Sequence, residues 1–198
     1  VLKAFYYNIL WKFWGNIPYY DQNLSFPYIC DQMPADEVYA NNIATLEDAI
    51  NNGGLPMKAA YGKEGHVTKA MAYMLFTEMV LYQNDESRYG KALQYMKEII
   101  DSGQYSLVSD FAGLWEETGE WGPESIWEIN YISEGGVRDW SAPIATGGSV
   151  YPVLTGIPGY VGNAFCDGWG FGPVAASAYE MYDQNDIRRD GGILNFSK

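Results

Sequence analysis

Between Gly65 and Val108 the apolar positions fall into two helical patterns of different width. Tyr89, Ala92, Leu93, Met96, Ile99 and Ile100 occur at i, i+3, i+4, i+7, i+10 and i+11, a single stripe of 3.6-residue period. Gly103 follows, a residue free to take positive φ and end that helix. Upstream, Val67 to Leu81 is apolar nearly all round (Val67, Ala70, Met71, Met74, Leu75, Phe76, Met79, Val80), so this helix is expected to be buried between neighbours. Together they predict a helical hairpin of the tetratricopeptide kind.

The pattern extends in both directions. Val1 to Trp14 reads as the end of a helix whose buried face includes Phe5, Ile9 and Phe13, stopped by Gly15 and Pro18. Asn16 to Met33 is a connector rich in Pro, Asn, Asp and Tyr. Pro34 suits the first turn of the next helix, with Tyr39, Ile43, Leu46 and Ile50 on one stripe and Asn51-Asn52-Gly53-Gly54 at its end. Helix pairs stacked in this way bury faces that none buries alone, although the spacing is irregular. After Leu107 the texture changes. Ser125 to Ile132 mixes β-branched and aromatic residues, as a short strand or an extended segment would. Ser133 to Pro173 holds ten of the 22 glycines, and Asp167 is the single charge between Trp140 and Ala178. A long, nearly neutral, Gly-rich loop is more often functional than idle. Pro173 to Tyr182 reads as a final helix and Asp183 to Gly192 as a polar turn. The prediction is one mainly α domain. Residues 1–108 form a scaffold of tetratricopeptide-like hairpin repeats, 109–173 a loop-rich Gly/aromatic region with little β, and 174–198 a helix and turn.

Several blocks, in order, resemble the SusD/RagB family of outer-membrane nutrient-binding lipoproteins. They are Leu2-Lys3-Ala4-Phe5-Tyr6-Tyr7 with Trp14-Gly15-Asn16-Ile17-Pro18, Glu37-Val38-Tyr39 through Ala49, and Gly65 to Ala72. Ser102-Gly103-Gln104-Tyr105-Ser106-Leu107 and Glu124-Ser125-Ile126-Trp127-Glu128-Ile129 follow. Gly168-Trp169-Gly170-Phe171-Gly172-Pro173 comes last, with Tyr179, Asp186 and Arg188-Arg189. No block is specific alone, but six in the right order are. His66, where the family usually has Arg, Thr45, where Asp is usual, and Phe76-Thr77-Glu78, where small residues and Arg are common, depart from the pattern. Family members are much longer, so the resemblance makes this the middle portion of a larger protein. It implies a non-catalytic, surface-exposed glycan-binding protein of the cell outer membrane, held by a lipid anchor outside this stretch. Such a protein would deliver oligosaccharide to a TonB-dependent SusC-type transporter.

Composition narrows the alternatives. A formal charge of −13 argues against nucleic acid, which needs clustered Lys and Arg, and against docking on anionic lipid. No run of about 18 apolar residues is present to span a membrane. Cys30 and Cys166 could pair in an oxidising compartment, but with no cysteine framework around them they read as two unpaired thiols. The single histidine, His66, rules out a His-rich metal site, leaves little for a Ser-His-Asp arrangement, and reads as a capping or packing residue. Asp183-Gln184-Asn185-Asp186 lacks the spacing of a calcium loop, and no phosphate-binding glycine loop or dinucleotide fingerprint occurs. Neither cofactor nor metal is expected.

Sugar rings offer apolar C–H faces and many hydroxyls, so a site for them needs flat aromatic platforms beside hydrogen-bonding groups. The chain has 7 Trp, 17 Tyr and 8 Phe, most of them expected to fill gaps between helices. The carbohydrate-binding candidates are Trp140, Tyr151, Tyr160 and Trp169 with Arg138, Asp139 and Asn163, and the exposed pair Tyr19 and Tyr20. Phe165 and Asp167 accompany them. For Trp169 and Phe171 the reading taken is that they pin the loop; for Trp140 and Tyr160 pinning and binding both stay open. Trp11 and Trp14 are assigned to the core, and Trp115 and Trp121, in an acidic loop, are weaker candidates. Two other functions remain: a helical-repeat protein that binds a peptide or acts as a scaffold, and a glycosidase, which needs two opposed carboxylates about 5 to 10 Å apart.

Overall fold

A computed structural model of the chain describes residues 1–131, 148–162 and 167–194. Trp140, Arg138, Asp139, Asn163, Phe165 and Cys166 lie outside the described residues. The chain divides into two compact units, Val1–Val108 with Trp121–Glu128, and Ser109–Glu120 with Ile129–Lys198. The fold is mainly helical, with one two-residue ribbon among the described residues.

The first unit stacks α1 (Leu2–Trp14), α2 (Ala35–Asn52), α3 (Lys69–Gln83) and α4 (Tyr89–Asp101) in sequence order, each against the next. The nearly all-apolar α3 sits between α2 and α4 and buries Ala70, Met71, Leu75, Phe76, Met79 and Val80. Its start is capped by Thr68, whose Oγ1 accepts from the Met71 N–H at 3.1 Å. His66, expected to cap or pack there, is exposed, because Thr68 already occupies the N-cap position. On α2 the predicted stripe Tyr39, Ile43, Leu46 and Ile50 is buried. Pro34 lacks an N–H and precedes the helix; the Asn16 side chain accepts from the Ala35 N–H at 2.9 Å instead. Gly103 has φ 62 just past α4, as its position requires.

Two helices present other faces than predicted. On α1 the buried residues are Ala4, Asn8 and Trp11, whereas Phe13 is 76% exposed and Ile9 also faces solvent. Small Ala4 lets α1 approach α2, where the buried Asn42 side chain donates to the Ala4 carbonyl at 3.0 Å. Trp11 packs on Tyr39 and Tyr82 as a core residue, but Trp14, at the helix end, is exposed. On α4 the buried set is Ala92, Tyr95 and Ile99, and Leu93 and Ile100 are exposed. Tyr95 turns the helix by stacking flat on Tyr73 at 4.0 Å, with Phe76 edge-on at 5.1 Å.

The connector before α2 pairs β1 (Ile17–Pro18) antiparallel with β2 (Gln32–Met33). No strand forms over residues 125–131. That segment has no regular secondary structure and is held through side chains: the Trp127 Nε1–H donates to the Gly65 carbonyl at 3.1 Å, and Glu128 accepts from the Trp121 N–H at 2.8 Å.

The second unit contains 3₁₀ turns at Ala112–Trp115 and Glu117–Gly119, then α5 (Tyr151–Thr155), α6 (Ala176–Glu180) and α7 (Ile187–Gly192). α5 lies inside the segment expected to be loop. α6 is shorter than the predicted Pro173–Tyr182 helix, and α7 replaces the predicted polar turn. The Asp186 carboxylate starts α7 by accepting from the Arg188 N–H at 3.0 Å. No helix of the described residues is long and apolar enough to cross a membrane.

Candidate functional site

The Gly-Trp-Gly-Phe block forms the clearest surface in the second unit. Its backbone is laced to α5 and the turn after it. The Trp169 N–H donates to the Val153 carbonyl at 2.9 Å and the Phe171 N–H to the Leu154 carbonyl at 2.8 Å. Between them, the Gly170 N–H donates to the Gly156 carbonyl at 2.9 Å. A single parallel bridge joins Ile157 to Asp167, and the Asp167 carboxylate accepts from the Gly159 N–H at 2.8 Å. Glycine is required by the closeness of this lacing. A Cβ on Gly168 would lie 2.3 Å from the Val153 carbonyl oxygen and 2.8 Å from the Gly156 Cα. Gly170 has φ +66, and its Cβ would lie 2.7 Å from Pro158.

With its backbone fixed, the block turns its rings outward. Trp169 is 48% exposed and Phe171 more so, and the two rings meet edge to face at 5.5 Å. Tyr151, at the start of α5, is 69% exposed. Tyr160 is half-buried, and its hydroxyl lies over Gly162, where a Cβ would come within 2.4 Å. Tyr151, Tyr160 and Trp169 thus belong to one folded segment. Pinning the loop and presenting a ring are both done at position 169, the first by backbone and the second by side chain. Of these rings Phe171 lines a groove of about 600 Å³ that runs along Pro158, with Pro173 and Val174 as further wall.

Tyr20 lies in the helical unit, in a smaller groove of about 310 Å³ with Lys3, Tyr6 and Pro18. Tyr19 was expected to be exposed beside it and is instead buried. Its ring is 4.3 Å from Tyr7 and is covered by the Lys3 ammonium at 4.7 Å, because the β1–β2 ribbon folds this residue back against α1. Tyr20 remains open, held by the Tyr7 hydroxyl, which accepts from its N–H at 3.1 Å.

Trp115, a weaker candidate from the sequence, lies at another groove of the second unit. The Ala112–Trp115 turn packs beside α7, and a groove of about 510 Å³ separates them, lined by Phe111, Trp115, Tyr182 and Arg188. The two halves stand about seventy positions apart in the chain, so only the fold brings them together. Arg188 grips both oxygens of Asp186, and this pair, with the helix-start N–H, holds the Asp186 carboxyl down at about 2. In the helical unit Asp85 is held down to about 2 by the Ser87 hydroxyl and then by Arg88 and Tyr39. Burial, and then a bond to Glu98, raises the Tyr73 phenol. These last two groups fasten helices together and face no groove described above. Among the described residues no group of three His, Cys, Asp or Glu side chains is placed to hold a metal ion. Cys30 is a free thiol.

No family model matches the sequence, and no curated protein does. Solved structures do. Surface glycan-binding protein A from Bacteroides thetaiotaomicron, in complex with laminarihexaose, is 47% identical over 96% of this chain, with a TM-score of 0.82 and 39% of that chain covered. Its counterpart from Bacteroides uniformis is 46% identical over 96% of this chain, with a TM-score of 0.82 and 40% coverage. A laminarin-binding SusD-like protein at 23% identity shares the fold, with a TM-score of 0.80 over 96% of this chain and 43% of its own. The chain therefore spans about two fifths of the length of these proteins.

Proposed function

Because the chain belongs to the SusD-like family, we propose that it is a non-catalytic, cell-surface glycan-binding protein. Its ligand is a neutral linear oligosaccharide of the laminarihexaose class. The observation that carries this reading is the 47% identity, over nearly the whole chain, to a surface glycan-binding protein solved with laminarihexaose. The physical chemistry agrees with it. Tyr151, Trp169 and Phe171 offer ring faces to solvent on a backbone that the Gly168 and Gly170 lacing holds in place. A pyranose stacks its C–H face on such rings, and neighbouring carboxylates and amides meet its hydroxyls. The chain's charge of −13 disfavours uronates and sulfated sugars and leaves neutral ones unopposed.

In this reading Tyr151, Tyr160 and Trp169 bind sugar together with Trp140, Arg138, Asp139 and Asn163, while Tyr20 is a separate contact on the helical unit. The stacked helices are the rigid scaffold and the surface that meets a SusC-type TonB-dependent transporter in the outer membrane, to which the captured glycan passes. Isothermal titration of laminarihexaose, an α-linked glucan oligomer and a polyuronate into the 198-residue chain tests the ligand class. Saturable heat with laminarihexaose and none with the polyuronate is expected; heat with the polyuronate alone would overturn the neutral-glycan assignment. A reducing-sugar assay on laminarin is expected to stay at background, and sustained release of new ends would make the protein a glycosidase. Co-purification with a SusC-type transporter checks the partner.

A further inference from the structure

Two grooves of the second unit adjoin. The 600 Å³ groove along Pro158 and Phe171 and the 510 Å³ groove between the Ala112–Trp115 turn and α7 share Gly192 and Ile193 as lining. They therefore adjoin at the end of α7. We infer that the second groove is an extension subsite for the same linear oligosaccharide, with Trp115 as its stacking face. The inference rests on the glycan-binding reading above and adds a place, a residue and a ligand length to it.

Trp115 is 73% exposed, and its orientation is supported from below. Phe111 stands edge-on to it at 5.9 Å and 74°. Phe111 in turn lies on the glycine pair ending α7, where a Cβ on Gly192 would come within 3.0 Å of its ring and one on Gly191 within 3.4 Å. A ring held by a second ring over two glycines is a fixed platform with one open face. A preorganised face loses less freedom on binding than a mobile one.

The polar lining selects the class of ligand. Arg188 is the cation of this groove, but its charge is met by both oxygens of Asp186, and its guanidinium lies 5.7 Å from the Tyr182 ring centroid. So engaged, it offers N–H groups to a hydroxyl rather than a free positive charge to an anion. Glu116 lines the same groove, and Glu117 and Glu120 follow it in the chain, so an anionic sugar meets repulsion. A neutral pyranose chain fits both the ring face and the hydrogen-bonding groups. Length follows from adjacency: a short oligomer occupies one groove, whereas an oligomer such as the hexasaccharide held by the 47%-identical relative has rings for both.

The test is calorimetric titration of laminaritriose and laminarihexaose into the 198-residue chain, its Trp115→Ala variant and its Trp115→Phe variant. Wild type is expected to bind the hexaose more tightly than the triose. Trp115→Ala is expected to bind the hexaose about tenfold more weakly and the triose unchanged, with Trp115→Phe recovering most of the loss. Equal hexaose affinity in Trp115→Ala and wild type would overturn the extension subsite and leave the glycan reading standing. So would a loss that is the same for both lengths, or one that Trp115→Phe does not recover. If wild type takes up no laminarihexaose, the glycan reading falls and the subsite with it.

Discussion

Replacing Gly168 by alanine tests whether ligand recognition depends on the backbone lacing that carries Trp169. The added Cβ would stand 2.3 Å from the Val153 carbonyl oxygen, 2.8 Å from the Gly156 Cα and 2.9 Å from its nitrogen. All three are backbone atoms, so no side chain can rotate away to make room. Relief requires α5 and the 167–171 segment to part by about 1 Å, the difference between these separations and ordinary van der Waals contact. That movement stretches the bond from the Trp169 N–H to the Val153 carbonyl, worth ~1 kcal/mol net, and overpacking adds about 1–3 kcal/mol. The Trp169 ring then loses its fixed place beside Phe171. Gly168→Ala is expected to weaken laminarihexaose binding by about tenfold or more, on the scale of 1.4 kcal/mol per decade. It should also alter the near-ultraviolet circular dichroism of the tryptophans while leaving the far-ultraviolet helical signal intact. Gly172→Ala is the control. Nothing lies within 4 Å of its Cβ, and the cost there is only that of φ +66, about 1 kcal/mol. Wild-type affinity and an unchanged near-ultraviolet spectrum in Gly168→Ala would refute the role given to the lacing.

Other expectations follow from the scaffold. Phe76→Ala, at the centre of the helical core, is expected to cost about 3–5 kcal/mol in urea denaturation, whereas exposed Leu93→Ala and Ile100→Ala should each stay within about 0.5 kcal/mol; a large effect at Ile100 would contradict the face assigned to α4. Thr68→Ala is expected to lose about 1 kcal/mol through its cap, and His66→Ala nothing measurable in the same melt. Because the folded Asp186 carboxyl is held at about 2, below its ordinary value near 3.9, its stabilising effect is complete above pH 4 and is lost as pH falls towards 2. Carbon-13 NMR titration should place its midpoint near 2 in the native chain, and a midpoint near 4 would show that the Arg188 pair does not form in solution.

The helices were legible where one residue type dominated a face. The α2 stripe and the all-apolar α3 are periodic in large aliphatics, and burial follows the pattern. On α1 periodicity pointed at Phe5, Ile9 and Phe13, but close helix approach selects small Ala4, whose carbonyl accepts from the buried Asn42 side chain of α2. Volume at the contact, rather than hydrophobicity, chose the face. On α4 an aromatic stack outweighed two aliphatics. In the second unit the glycine pair 191–192 read as a turn because glycine is a poor helix former. The space a glycine leaves for Phe111 has no signature in local sequence. Tyr151 and Trp169 are exposed, while Tyr19 shows how a two-residue ribbon can bury one of two adjacent tyrosines. The Trp115 groove was hidden for a simpler reason, since its walls come from segments joined only by tertiary contact.

The most direct measurement is a crystal structure of the 198-residue chain soaked with laminarihexaose. Glycan capture by the second unit predicts sugar density stacked on the exposed rings of Tyr151, Trp169 and Phe171. Density confined to the helical unit, or none at saturating ligand, would contradict it.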